Sequence, residues 1–224
     1  MNAYNYLKLD IRSSKSTLKF FILAPVILIL VALLEYDGLL FMTGWIGTFY
    51  LLSLELPFTA EMSNNTRLIY TILPGKIKSR VLGRYLYMVL YGVYLLCTSF
   101  ILLFIADYIE MLAVQPYLYF SMFTLFSFSM IVGLIEYCIY YKVKFDGQSR
   151  IAMLLRMIPA FSMMVIGSMV SNRIVQSQDS LSGIINFAKN NWLLVIGMEV
   201  LIVIAIITIS FSISCKFCAA REDY

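Results

Sequence analysis

The sequence predicts an all-α integral membrane protein with six transmembrane helices, and three observations support this fold class. Hydrophobic residues make up 61% of the 224 residues and charged residues 13%, so one water-soluble core could not bury the apolar surface. The apolar residues are gathered in six segments of about 20 residues, the length that crosses a bilayer core. The basic residues lie mainly in alternate gaps between those segments.

The six predicted spans cover most of the chain, which we expect to form one transmembrane domain over residues 1–224. The spans are Leu18–Leu34, Leu39–Phe58, Tyr85–Ala106, Tyr117–Tyr141, Ile151–Val170 and Trp192–Cys215. Residues 1–19 are polar and charged where a cleavable signal sequence would already be apolar. We therefore expect the first span to be retained.

The distribution of Lys and Arg predicts the orientation of the chain. When the gaps are assigned alternately to the two sides, one side carries 15 of the 17 basic residues, and the other carries Arg173 and Lys189. Basic residues near helix ends are retained on the cytoplasmic side, so both termini are predicted to be cytoplasmic. The net charge of +4 is explained by topology and contact with anionic lipid, and no nucleic-acid partner is expected.

Residues 1–17 are predicted to form an amphipathic helix that lies in the cytoplasmic membrane interface. An apolar face and an adjacent basic stripe define it: Tyr4, Leu7, Ile11 and Leu18, and Lys8, Arg12, Lys15 and Lys19. Such a helix is either an anchor that fixes topology or a lever that contacts a soluble partner.

The last outer gap, residues 171–191, is the longest on its side. Ser180 could cap a short helix with Leu181, Ile184, Ile185 and Ala188 on one side, and that helix would lie on the outer membrane surface. An ordinary loop is the alternative.

Three acidic residues fall inside predicted spans: Glu55, Glu136 and Glu199. A charge in hydrocarbon costs several kcal/mol, so each is expected to face protein, water or a cation. Glu55 and Glu136 lie near the inner ends of their helices, where an interfacial ion pair with a loop Lys or Arg is favoured. Glu199 lies about 10 Å inward from Trp192, which makes it a candidate for a transport pathway or a conformational latch.

No catalytic residue and no metal site are expected in this chain. It has no histidine, which excludes His-dependent hydrolysis and His-ligated zinc chemistry. It also lacks the GxxxxGK[ST] phosphate-binding loop, so ATP-driven work would come from another subunit. Cys215 and Cys218 form a C-x-x-C at the end of the last span and are expected to be reduced thiols without a function.

The gap of residues 59–84, called the elbow below, is predicted to be two short helices separated by Pro74-Gly75. Proline disfavours helical geometry at the preceding residue and glycine permits a sharp reversal. Three cations recur every four residues after the turn and share one helical face: Lys76, Arg80 and Arg84. Such a face suits docking of a soluble protein, and a loop that serves only to orient the chain is the alternative.

The run TRLIYTILPGKIKSRVLGRYL, residues 66–86, resembles the cytoplasmic elbow of type-2 ABC exporter permeases. In that family an acidic residue, a short helix, Leu-Pro, a basic residue and [KR]-Tyr-Leu precede the third span. The matching residues here are Glu61, Leu73-Pro74, Lys76 or Arg80, and Arg84-Tyr85-Leu86. The segment YYKVKFDGQSR, residues 140–150, is similar to the family's aromatic-lysine-phenylalanine-glycine entry to the fifth span. One departure is Gly75-Lys76, where the family often has an arginine.

The resemblance implies a second permease subunit, identical or paralogous, and two separate ATPase subunits that bind ATP and Mg²⁺. The elbow would be the coupling helix on the ATPase, with Glu61, Arg67, Leu73, Pro74, Lys76, Arg80 and Arg84 as coupling residues. A second cytoplasmic contact would involve Lys144, Phe145, Asp146 and Gly147. The expected location is a bacterial cell membrane, which the chain crosses several times.

The cargo is suggested only by the composition of the spans, which are rich in Phe, Tyr and Met. Such side chains adapt to irregular apolar shapes, which favours an amphipathic, peptide or lipid-like substrate. A secondary transporter or channel is an alternative, with Glu55, Glu136 and Glu199 along its path. A non-transporting scaffold or an immunity protein would need none of these acids.

Overall fold

A computed structural model of the protein describes residues 2–32, 38–62, 76–108, 116–143, 154, 157–166 and 191–222. The helices are α1 (Ala3–Ser13), α2 (Lys15–Ala32), α3 (Gly38–Ser53), α4 (Leu56–Met62), α5 (Ile77–Tyr108), α6 (Pro116–Lys142), α7 (Met157–Ile166) and α8 (Trp192–Glu222). No strand occurs in these ranges. The predicted all-α class is confirmed.

Within the residues that the structure describes, three helices are long and apolar enough to cross a membrane, over Ile77–Ile105, Tyr119–Lys142 and Trp192–Ala220. They coincide with the third, fourth and sixth predicted spans. The shorter helices α2, α3 and α7 lie within or across the first, second and fifth. The chain is therefore a helical membrane protein, while the count of six spans and the cytoplasmic termini stay predictions. Except for Asn191, the outer loop of residues 171–191 lies outside the described residues.

The core lies where α6 packs against α8 and α3, and α5 packs against α8 and α1. Gly47 of α3 allows one of these close approaches. A Cβ atom at Gly47 would lie 2.6 Å from the Ser129 hydroxyl of α6 and 3.2 Å from the Met163 methyl of α7. Small residues at helix crossings give membrane helices this van der Waals contact.

The second predicted span is divided into α3 and α4 by Pro57. Proline has no amide hydrogen, so it cannot donate to the carbonyl of Ser53 four residues earlier and the helical ladder stops there. The chain turns at Leu54 and Glu55, and α4 starts again with Phe58 and Thr59 donating to the Glu55 carbonyl. The Ser53 carbonyl instead accepts the hydroxyl of a side chain on α5, at 3.4 Å.

Pro25 likewise leaves a carbonyl of α2 without its helical amide donor, and a tyrosine of α5 donates to that carbonyl instead. The Phe21 carbonyl has no amide donor from Pro25, and the Tyr91 hydroxyl donates to it at 2.8 Å. One turn earlier on α5, Tyr87 is the residue that donates to Ser53. The two tyrosines therefore fix α5 against α2 and the end of α3.

A polar cluster joins the three long helices near the start of α5. The Tyr85 hydroxyl lies 2.6 Å from the Ser210 hydroxyl and 3.0 Å from the Ser214 hydroxyl, both on α8. Ser210 in turn donates to the Leu134 carbonyl of α6 at 2.9 Å. These bonds position the first turns of α5, which carry the candidate site.

Candidate functional site

Glu61 on α4 binds two arginines of α5. Arg80 and Arg84 are one helical turn apart, and each donates from its Nη2 atom to a different carboxylate oxygen of Glu61. The side chains of Arg80 and Glu61 are 20% and 22% exposed, whereas that of Arg84 is 2% exposed. The pair with Arg84 is thus shielded from water, and α4 is held against the start of α5.

Aromatic rings enclose the Arg84 guanidinium. Its carbon lies 4.3 Å from the ring centroid of Phe58 and 5.8 Å from that of Tyr141. An arginine over an aromatic face is attracted by the negative electrostatic potential of that face, more strongly where water is excluded. Nη2 also approaches the Pro57 carbonyl at 3.4 Å. The cation is therefore enclosed between α4 and α6.

The last two turns of α6 complete this arrangement. The Phe58 ring meets Tyr137, Tyr140 and Tyr141 at centroid distances of 5.3, 5.2 and 5.2 Å, each in an edge-on geometry. The Tyr137 hydroxyl donates to the Arg84 carbonyl at 3.4 Å. We call Phe58, Glu61, Arg80, Arg84, Tyr137, Tyr140 and Tyr141 the Arg84 cluster. It ties α4, α5 and α6 into one contact region.

The N-terminal helix α1 packs directly on this region at Gly83. A Cβ atom there would lie 2.7 Å from the Cβ of Tyr6 and 2.9 Å from the carbonyl oxygen of Ala3. Only a residue without a side chain admits the α1 backbone so closely. Helix α1 therefore rests on the elbow end of α5 and also contacts α4.

The packed face of α1 differs from the apolar face predicted from its sequence. Leu7 is buried as expected, but Tyr4 and Ile11 are 67% and 37% exposed. Tyr6 and Asp10 are buried in their place. The sequence pattern could not reveal this, because an acidic residue is assigned to the polar side unless its protein neighbours are known.

Replacing Gly83 by alanine is expected to displace α1 and to destabilise the protein by about 1–3 kcal/mol, because the opposing atoms are main-chain atoms or a Cβ. Tryptic cleavage after the exposed Arg12 should accelerate. Gly197→Ala is the matched control, since a Cβ at Gly197 meets nothing within 4 Å. Equal cleavage rates in the two variants would show that α1 does not depend on this contact.

The three cations predicted to form one docking face differ in exposure. Lys76, just before α5, is exposed, Arg80 is half-buried and Arg84 is buried. Only Lys76 among them presents its full side chain to a partner. The other predicted coupling and contact residues lie outside the described residues: Arg67, Leu73, Pro74, Lys144, Phe145, Asp146 and Gly147.

Glu55 and Glu136 are brought together inside the protein. They are 8% and 4% exposed, and Glu136 interacts electrostatically with Glu55 and with the Tyr140 hydroxyl. An ion pair with a loop Lys or Arg is favoured by the sequence for each acid. Within the described residues, the charged neighbour of Glu136 is instead this second carboxylate, because the turn between α3 and α4 directs Glu55 towards α6.

Glu199 links α8 to α6. Its Oε1 atom accepts a hydrogen bond from the Thr124 hydroxyl at 2.9 Å, and its side chain is half-buried. A hydrogen bond between membrane helices contributes about 0.6 kcal/mol on average. Its role as a latch or pathway residue stays a prediction. On the same helix, Cys215 is half-buried and Cys218 is buried with the core side chains.

The described helices are those of a membrane protein in which a short helix, α4, is held against the start of a long span, α5. Residues 5–218 match the family model of the ABC-2 family transporter protein, and the chain belongs to this family. The predicted resemblance to ABC-2 type permeases is thereby confirmed. No curated protein and no solved structure is significantly similar to the chain. Members of this family are components of membrane transport systems.

Proposed function

We propose that this chain is the transmembrane subunit of an ATP-driven exporter in the cell membrane of a bacterium. It forms the translocation path with a second permease subunit and is driven by two ATPase subunits that carry ATP and Mg²⁺. Family membership supports the transport role. The observation that supports coupling is the buried bond of Arg84 to Glu61, which holds α4 against the start of the long helix α5.

We propose a different part in coupling for each cation, according to its exposure. Lys76 is exposed and contacts the ATPase, together with Arg67, Leu73 and Pro74 of the elbow. Arg84 is only 2% exposed and cannot reach a partner, so it acts as a positioning residue. Arg80 shares Glu61 with it and has the same task.

The Arg84 cluster transmits the movement of the elbow to α6. ATP binding by the ATPase pair favours one packing of the two permeases, and hydrolysis restores the other. Rigid contacts carry such shifts as movements of whole helices, and the rings around Phe58 form such a contact between α4 and α6. Residues 144–147, the proposed second contact, follow the end of α6 in the sequence. Movement of the ATPase at this contact therefore acts on the same end of α6.

Reversing the charge of Lys76 should weaken ATPase binding without affecting insertion. We expect Lys76→Glu to reduce the ATPase that co-purifies by about tenfold, because a repulsive charge replaces an attractive one at the contact. Lys216→Glu is the control, since Lys216 is also exposed but lies on α8. Measurements at two salt concentrations should show a smaller effect at high salt. Unchanged ATPase binding by Lys76→Glu contradicts its role as a contact.

Co-purification tests the function as a whole. The tagged chain, solubilised in a mild detergent, should carry a nucleotide-hydrolysing protein in stoichiometric amount. If none follows, reconstituted vesicles distinguish the alternatives. Transport driven by a proton gradient without ATP indicates a secondary transporter that uses acids such as Glu136. No transport under either condition indicates a scaffold or an immunity protein.

A further inference from the structure

A cavity of about 110 Å³ lies between α6 and α7. Its lining residues are Val132, Ile135, Glu136, Ile139, Tyr140 and Pro159. The walls are almost entirely apolar, and Glu136 and Tyr140 are the polar residues among the lining side chains. Since about 10–15 Å³ of such volume is enough to hold one water, the cavity has room for several waters or for a short alkyl chain with a small polar head.

The carboxyl group of Glu136 lacks the hydrogen bonds that a buried acid requires. Glu136 is 4% exposed, and neither of its oxygens has a partner at hydrogen-bond distance in the described part of the chain. The Tyr140 hydroxyl, one turn away, is close enough to interact with it but does not meet that geometry. A buried carboxylate is costly unless a cation or hydrogen bonds compensate it.

The groups around Glu136 favour a positively charged ligand. The carboxyl group of Glu55, on the turn after α3, interacts with it electrostatically, and so does the Tyr50 hydroxyl of α3. Two carboxylates close together disfavour each other's ionised form. A cation next to Glu136 removes this repulsion and supplies the hydrogen-bond donor that its oxygens lack.

We infer that the cavity binds an alkylammonium group of the transported molecule. The ammonium donates hydrogen bonds to Glu136 and to the Tyr140 hydroxyl oxygen, and its methylene groups contact Val132, Ile135 and Ile139. A bare divalent ion fits poorly, since Ca²⁺ and Mg²⁺ require about six or more oxygen ligands. An alkylammonium suits both the carboxyl group of Glu136 and the apolar walls. A lysine side chain likewise places its methylene groups on an apolar surface and its charged end in a polar environment.

The position of the cavity fits a ligand that arrives along the membrane. Ile135 at its rim is 55% exposed, so the cavity opens on the surface of α6 within a candidate span. The inference narrows the amphipathic cargo to one that carries a primary amine, and it rests on the transport function proposed above.

Binding of n-hexylammonium to the purified full chain in nanodiscs tests the inference, with 1-hexanol as the neutral control. Calorimetry should show saturable binding of the ammonium beyond that of the alcohol and of empty nanodiscs. Glu136→Gln should weaken binding at least about tenfold, the loss expected for a charge-assisted bond. Asp107→Asn, which changes an exposed acid at the end of α5, should not. Equal binding of the alcohol, or unchanged binding by Glu136→Gln, overturns the inference.

A second measurement uses the unaltered chain, in case Glu136→Gln fails to fold. A membrane-soluble carbodiimide should label Glu136, as read by mass spectrometry, and hexylammonium but not hexanol should slow the labelling. Absent labelling, or labelling that the ammonium does not slow, overturns the inference. Both measurements omit the ATPase, so they can fail while ATP-driven transport stands, and can succeed while it fails.

Discussion

Replacing Glu61 by glutamine is expected to lower the free energy of unfolding by about 3 kcal/mol, because the buried Arg84 guanidinium loses the carboxylate that Glu61 supplies. Arg84 is only 2% exposed, so water cannot replace the lost partner. The Pro57 carbonyl at 3.4 Å is a weak substitute. Thermal and denaturant unfolding in one detergent measure the loss. The same substitution should also weaken the coupling between the elbow and the spans. Loss of the stimulation of ATPase activity by cargo measures this effect.

Arg80→Gln is the matched control for Glu61→Gln. Arg80 binds the same carboxylate but its side chain is 20% exposed, and partly hydrated ion pairs contribute about 0–1 kcal/mol. The pair of Glu61 with Arg84 remains in this variant. A double-mutant cycle with Glu61→Gln and Arg84→Gln isolates the energy of that pair. Equal destabilisation by Glu61→Gln and Arg80→Gln would contradict the dominant role of the buried pair.

The helical spans could be predicted because a bilayer leaves few choices. An apolar segment of sufficient length must form a helix to satisfy its backbone. The predicted span Trp192–Cys215 thus lies within α8, which the structure extends to Glu222. The extension was missed because the last residues are polar, and apolar length alone ends the span at Cys215.

The burial of Arg84 could not be predicted from the same pattern. A spacing of four residues places Arg80 and Arg84 on one face, but it does not show whether that face meets water or protein. The answer depends on Phe58, on another helix, and on Tyr141, which is 57 positions away along the chain. Glu61 was found through the family resemblance, and an acid in a basic segment was the available signal.

The sequence pattern also does not predict the roles of the α5 tyrosines, since a tyrosine within a span is interpreted as an apolar packing residue. Tyr87 and Tyr91 are four residues apart, and each donates to a carbonyl four residues before a proline of another helix. Pro25 and Pro57 in predicted spans gave a signal, because each requires a replacement donor. Only the packing of the helices shows where that donor comes from.

Replacing Tyr91 by phenylalanine is expected to destabilise the protein by about 2 kcal/mol. The variant keeps the ring but removes the hydroxyl that donates to the Phe21 carbonyl at 2.8 Å. Pro25 has no amide hydrogen to take its place, so a buried acceptor is left unsatisfied. Because Tyr91 is 6% exposed, water has little access to that carbonyl. The midpoint of thermal unfolding in a mild detergent measures the effect.

Tyr94→Phe is the control that distinguishes the effect of the carbonyl left without a donor by Pro25 from the general effect of removing a hydroxyl group. The Tyr94 hydroxyl donates to the Ile22 carbonyl at 2.7 Å, but in a regular helix that carbonyl also accepts the amide of Val26. Its loss should therefore cost less than about 1 kcal/mol. If the two variants unfold at the same temperature, the Phe21 carbonyl obtains its hydrogen bond in another way. A larger loss for Tyr91→Phe establishes that α5 replaces the missing donor of α2.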